Sequence, residues 1–133
     1  MTQVISSNLY DALGGELVVH RLAHRFYELM DELPEVHALR QIHPETLESS
    51  AQTLFEFLSG WLGGPSLYIE KHGHPRLRMR HFPYAIDEVK RNEWMLCMRL
   101  ALTEVVSDRY LRDALVEAFS QMADHMINTS ASS

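Results

Sequence analysis

The chain has 133 residues, 12 basic against 18 acidic, and a formal charge of -6. That length gives one domain with a real core and no room for a second, and the acidic balance argues against the sequence-independent phosphate contacts on which nucleic-acid binding depends. The single Cys97 excludes an internal disulfide, residues 1–10 carry neither the basic start nor the apolar block of a signal peptide, and charged residues interrupt every apolar run before it reaches membrane-spanning length. The expectation is a soluble protein of the reducing cytoplasm, residues 1–133 forming one domain with flexible tails at 1–7 and 129–133.

Helical periods run through most of the chain and no segment reads as a strand. A short opening segment, Asn8 to Leu13, is broken by Gly14-Gly15. Val18, Leu22, Phe26, Leu29 and Met30 then recur at steps of about 3.6, the period of an amphipathic helix. Pro34 can open a short helical turn, where its missing N–H costs nothing, and Pro44 is expected to do the same before the next long helix. There Leu47, Ala51, Leu54, Phe55, Leu58, Trp61 and Leu62 form a second apolar stripe, which Gly63-Gly64-Pro65 stops. Periodicity fails from Ser66 to Ile86, a stretch read as loop with at most short helical turns. Asp87 suits the N-cap of a third long helix with Trp94, Met98, Ala101, Leu102 and Val105 on one face. Leu96, Leu100 and Val106 are apolar on other faces, which marks this helix as the buried middle of the domain. Ser107 or Asp108 caps the last helix, along which Leu111, Leu115, Phe119, Met122 and Met126 repeat. The fold class is all-α, with one long irregular insert between the second and third major helices.

That insert holds the run His74-Pro75-Arg76-Leu77-Arg78-Met79-Arg80-His81, three alternating arginines closed by a histidine with no carboxylate among them. An irregular segment in a small helical domain gains little from regular hydrogen bonding and needs something to hold it. A bound anionic cofactor whose metal is ligated by the histidine would supply that, and haem is such a group. Taken one at a time, each arginine is more commonly a solvated side chain. A lone histidine, in a chain with eight, is more commonly a hydrogen-bonded residue than a ligand.

The combination of Gly63-Gly64-Pro65, Tyr68, Gly73 with the His74 to His81 run, Pro83, Ile86 and Trp94, preceded by Tyr10-Asp11-Ala12-Leu13-Gly14-Gly15 and Phe26-Tyr27, resembles the group II truncated haemoglobins. The resemblance implies a truncated globin, a two-over-two helical sandwich holding one non-covalent haem b. By the same resemblance His81 is the proximal iron ligand, and Arg80 and Tyr68, with Arg78 as a weaker candidate, meet the haem propionates. Tyr27, His43 and Trp94 form the distal set that stabilises a bound ligand. Ser50 takes the place of the distal histidine of classical globins and is too short to reach the ligand, while Leu54 is a packing wall. Phe57, Met98 and Phe119 are core residues that also reach the haem. His43 departs from the tyrosine or phenylalanine common at its position. The ligands implied are dioxygen, nitric oxide, carbon monoxide or peroxide, with oxidation of nitric oxide or peroxidase-like turnover more in keeping than transport. No flavin or nicotinamide motif is present, so catalysis would require a separate reductase.

Two rival classes fit parts of the same pattern. His20 and His24 lie one helical turn apart, and His72 and His74 form a short pair, so a zinc protein or non-haem hydrolase is the alternative. Neither pair is accompanied by a His-Glu-x-x-His motif, and all four positions read as exposed. A pure interaction module built on the basic loop has the acidic chain around it against it. A red protein with a sharp near-ultraviolet band separates the haem reading from a colourless zinc protein.

Overall fold

The computed structural model describes residues 9–73 and 86–127, and among these every regular element is helical. A short helix α1 (Leu9–Leu13) is followed by α2 (Glu16–Glu32), a 3-10 turn at Pro34–Val36 and a five-residue α3 (His37–Gln41). Then come α4 (Glu48–Trp61), α5 (Leu67–His72), α6 (Glu88–Val105) and α7 (Arg109–Met126). The packing has the paired form expected: α2 lies on α4, α6 lies on α7, and α2 against α6 joins the two pairs, while α5 seats on α4.

The core follows the apolar periods. Val19, Leu22, Ala23, Phe26 and Met30 of α2 meet Met98, Ala101 and Leu102 of α6 and Leu115 and Phe119 of α7, all essentially closed to solvent. Each such large side chain contributes roughly 1.5–3 kcal/mol by leaving water. The stripe of α2 is set by Val19 rather than Val18, which is half-buried. In α6 the buried positions spread over several faces, including Met95 and Cys97, as its uneven apolar pattern requires.

Helix ends follow local chemistry. The Asp87 carboxylate accepts from the Lys90 N–H at 2.9 Å and that of Asp108 from Tyr110 and Leu111 at 2.9 and 3.2 Å, so Asp108 rather than Ser107 is the cap. Pro44 does not open α4, which begins at Glu48. Instead its carbonyl accepts from Arg40 Nη1 at 2.7 Å, and the Glu45 carbonyl accepts from Nη2, while Nε pairs with Asp31 at 2.7 Å. One guanidinium thus fastens the corner between α3 and α4. The irregular stretch after Gly63 contains the six-residue α5, a longer helical piece than its weak periodicity suggests.

Glycine is required where α1 crosses the end of α4. The Tyr10 N–H donates to the Leu62 carbonyl at 2.9 Å, and a Cβ on Gly64 would lie 2.4 Å from the Tyr10 ring. Gly64→Ala is therefore expected to cost about 1–3 kcal/mol of stability in chemical denaturation. The penalty should largely vanish in a Tyr10→Ala background, where the ring that meets the new methyl is gone.

Candidate functional site

Between α2, α4, α6 and α7 lies a cavity of about 430 Å³, within the range of roughly 300–1,000 Å³ typical of cofactor and ligand pockets. It gathers Tyr27 from α2, His43 from the corner after α3, Ser50, Leu54 and Phe57 from α4, Tyr68 from α5 and Trp94 from α6. Seven of the side chains singled out from the sequence thus line one space although they come from five parts of the chain. Met98 does not: it is fully buried and not part of the lining. Arg78, Arg80 and His81 lie outside the described residues, as do His74 and the segments 1–7 and 129–133.

Spacing explains the convergence. Ser50, Leu54 and Phe57 are one face of α4 at steps of four and three, and Leu54 is only half-buried because that face borders an open space rather than another helix. Tyr27 and Trp94 are held by the buried Phe26, whose ring centroid is 4.9 Å from that of Tyr27 and 5.1 Å from that of Trp94. Tyr68 packs on Phe57 at 6.2 Å and on His72 at 4.6 Å.

The polar groups have definite roles. Among the described residues neither the Tyr27 hydroxyl nor the Trp94 indole N–H has a hydrogen-bond partner, and both side chains face the cavity. Burial, with a smaller contribution from Cys97, pushes the Tyr27 phenol well above its ordinary range, so it remains a protonated donor. Burial likewise pushes the Cys97 thiol up to about 12, with Glu93 adding to it, and leaves Cys97 an inert core residue. His43 Nδ1 lies 2.9 Å from the Leu39 carbonyl, which can only accept. Nδ1 therefore carries the proton, and the neutral ring has Nε2 as an acceptor.

Sequence reasoning missed several lining residues. Met122 and Met126 belong to the α7 stripe, read as core, yet border the cavity one turn apart. Lys90 and Arg91, which follow the Asp87 cap and were not singled out from the sequence, are part of the lining too. Arg91 Nη2 donates to the backbone and side-chain oxygens of Ser120, and its Nε sits 2.8 Å from Asp124 Oδ1 in a charge contact too bent to be a hydrogen bond. Apolar walls and two unpaired donors suit a large planar group such as the haem ring: the walls take the ring, and the donors remain for a ligand.

The histidine pairs do not assemble a metal site. His20 and His24 stack ring on ring at 4.1 Å, and among the described residues no three His, Cys, Asp or Glu are arranged to hold a metal ion. His24 is half-buried rather than exposed, with its Nε2 unpartnered, and burial followed by the neighbouring His20 lowers its pKa. His72 instead lies 3.2 Å from the carboxylate of Glu56.

These features define a globin pocket, and comparison with known proteins agrees. The bacterial-like globin family matches residues 8–128. The group 2 truncated hemoglobin YjbI of Bacillus subtilis is 38% identical over 119 residues, covering 90% of this chain and 87% of its own. The group II 2-on-2 hemoglobin of Agrobacterium tumefaciens superposes with a TM-score of 0.87 at 47% identity, covering 90% of this chain and 93% of that one. A truncated oxygen-avid haemoglobin from Bacillus subtilis superposes at 0.82 with 37% identity, covering 90% and 98%. The chain belongs to the group II truncated haemoglobins, and its fold is their two-over-two helical sandwich. Globins are haem proteins, and the apolar walls of the cavity suit the ring of that group, while His81, read as its iron ligand, lies outside the described residues. Among the described residues no helix is long and apolar enough to cross a membrane.

One buried charge ties the cavity wall together. Glu56 of α4 is 5% exposed and accepts from Gln52 Nε2 and Lys71 Nζ, both at 3.1 Å, and meets His72. Burial acts to raise its pKa, but the hydrogen bonds from Gln52, Lys71 and His72 together outweigh it and hold the carboxyl below its ordinary value. A depressed folded-state pKa gives stability that is present above the unfolded value, about 4.3, and lost as pH falls through the folded one. The stability difference between wild type and Glu56→Gln, followed by urea denaturation, should accordingly shrink as pH falls from about 5 to about 3.

Proposed function

We propose that this cavity would hold one haem b, with His81 as the residue that would ligate its iron and with Tyr27, Trp94 and His43 as the residues that would meet a bound ligand. When bound, the haem supplies a ferrous iron that takes dioxygen, nitric oxide, carbon monoxide or peroxide. Arg80 and Tyr68, with Arg78, are the candidates for holding its carboxylates. The single observation that carries the reading is the pair of unpaired donors, the Tyr27 hydroxyl and the Trp94 indole, facing one cavity from two helices. Kinship with an oxygen-avid haemoglobin supports dioxygen as a ligand.

Each residue has a distinct task. Tyr27 and Trp94 would donate hydrogen bonds to a bound diatomic ligand, beside the apolar side chains of Leu54 and Phe57. Ser50 leaves room beside them. Donors that slow ligand escape suit chemistry on the ligand, such as oxidation of nitric oxide or turnover of peroxide, better than bulk transport. Such a reaction would require a separate reductase.

Trp94→Phe removes a donor while keeping an aromatic wall, and should speed dioxygen release about tenfold, the equivalent of about 1.4 kcal/mol. Tyr27→Phe should act in the same direction. Stopped-flow dioxygen dissociation, measured beside nitric oxide consumption, checks both and separates a scavenging enzyme from a carrier; unchanged release in both variants would mean that the distal side is wrongly assembled.

His43 adds a dependence on pH. With Nδ1–H engaged by Leu39, a neutral ring can only accept at Nε2, whereas a protonated ring donates at both nitrogens. Dioxygen release should be slower at mildly acidic than at neutral pH, and His43→Phe should flatten the profile. A rate independent of pH in the wild type would sink this role.

A further inference from the structure

The helix α3, His37–Gln41, has five residues, too few to hold itself in water. Its free backbone groups are satisfied from elsewhere, and two of those contacts converge on one residue. The Leu39 N–H, an orphan of the first turn, donates to Glu93 Oε1 at 2.8 Å across 54 positions of sequence. No side chain of Val36, which precedes the helix, caps it. The Leu39 carbonyl, which accepts from the Ile42 N–H at 3.3 Å, also takes Nδ1–H of His43 at 2.9 Å. Leu39 itself borders the cavity, and Glu93 immediately precedes Trp94 on α6. A single carboxylate on the helix that carries one distal donor thus pins the residue whose carbonyl sets the orientation and tautomer of another distal group.

We propose that Glu93 is a positioning residue of the distal pocket, acting through Leu39 on His43. A hydrogen bond from a neutral N–H to an ionised carboxylate is among the stronger ones a half-buried site can make. The clamp of Arg40 on Asp31, Pro44 and Glu45 holds the same corner from its outer side but touches neither backbone group of Leu39. Its contacts fix the course of the chain, whereas the Glu93 contact holds the peptide entering Leu39, and the His43 ring rests on the carbonyl of the peptide leaving it.

The inference rests on the haem reading only in its ligand-binding arm, and the test has two arms. In the first, nitrogen-15 spectra of the histidine rings and amide hydrogen exchange are recorded on wild type, Glu93→Ala and Glu93→Gln. Glu93→Ala should speed exchange of the Leu39 amide about tenfold and move His43 from a single Nδ1–H tautomer to a mixture. Glu93→Gln, which keeps an acceptor oxygen, should recover most of both. In the second, dioxygen release is measured for Glu93→Ala with and without His43→Phe. A change of about threefold or more with His43 present, and none in the His43→Phe background, is expected. Unaltered Leu39 exchange and His43 tautomer in Glu93→Ala would overturn the proposal, and so would an equal effect in both backgrounds, the mark of a merely structural role. Were the protein to bind no haem, the first arm would still decide the role of Glu93, and the functional reading would fail separately.

Discussion

A cavity of this size inside so small a domain persists only if its walls cannot fall into it, and here the walls are rings braced on one another. His43 meets Tyr27, Tyr27 meets Phe26, and Phe26 meets Trp94. From Trp94 the contacts pass through Phe119 and Trp61 to Phe57, Tyr68 and His72. Ring centroids along this course are 4.6 to 6.2 Å apart, the spacing at which aromatic pairs attract beyond their burial alone. Rings are stiff plates with two torsions, so a chain of them resists collapse better than aliphatic side chains of equal volume. Both groups with donors to spare, Tyr27 and Trp94, are members of that chain, and their directions are set by the same Phe26.

Much of this was legible in the amino-acid order, for physical reasons that also mark where legibility stops. A 3.6-residue period records which face of a helix is dry, so α2, α4, α6 and α7 and most of their buried residues could be read directly. The period does not tell a face against another helix from a face against a cavity. Met122 and Met126 therefore looked like core and turned out to border open space. Short elements escaped for a different reason: α3 and α5 have no full apolar stripe and are held by contacts from afar, Glu93 for one and Glu56 for the other. Pro44 shows the limit of a local rule, since a guanidinium took its carbonyl and the helix started later.

The site residues were legible through family resemblance rather than chemistry. Nothing in the spacing of Tyr27, His43 and Trp94 says that they meet, because they are carried by three separate elements. What the fold adds is polarity. The sequence permits His43 to be donor or acceptor, and only the position of the Leu39 carbonyl decides between them in the neutral state. Lys90 and Arg91 were unreadable for a related reason: a cation beside an N-cap looks solvated until the opposite helix, with Ser120 and Asp124, is brought against it.

The chain has two tryptophans, and both rest on the one ring of Phe119, Trp61 at 4.8 Å and Trp94 at 5.9 Å. One lies at the cavity and the other at the protein surface, 36% exposed. The two indoles therefore form a matched pair of native fluorophores, one facing whatever occupies the interior and one sampling solvent. A strongly absorbing occupant within reach of the first is also near the second, so the molecule carries its own optical gauge of whether its interior is filled, with no label attached.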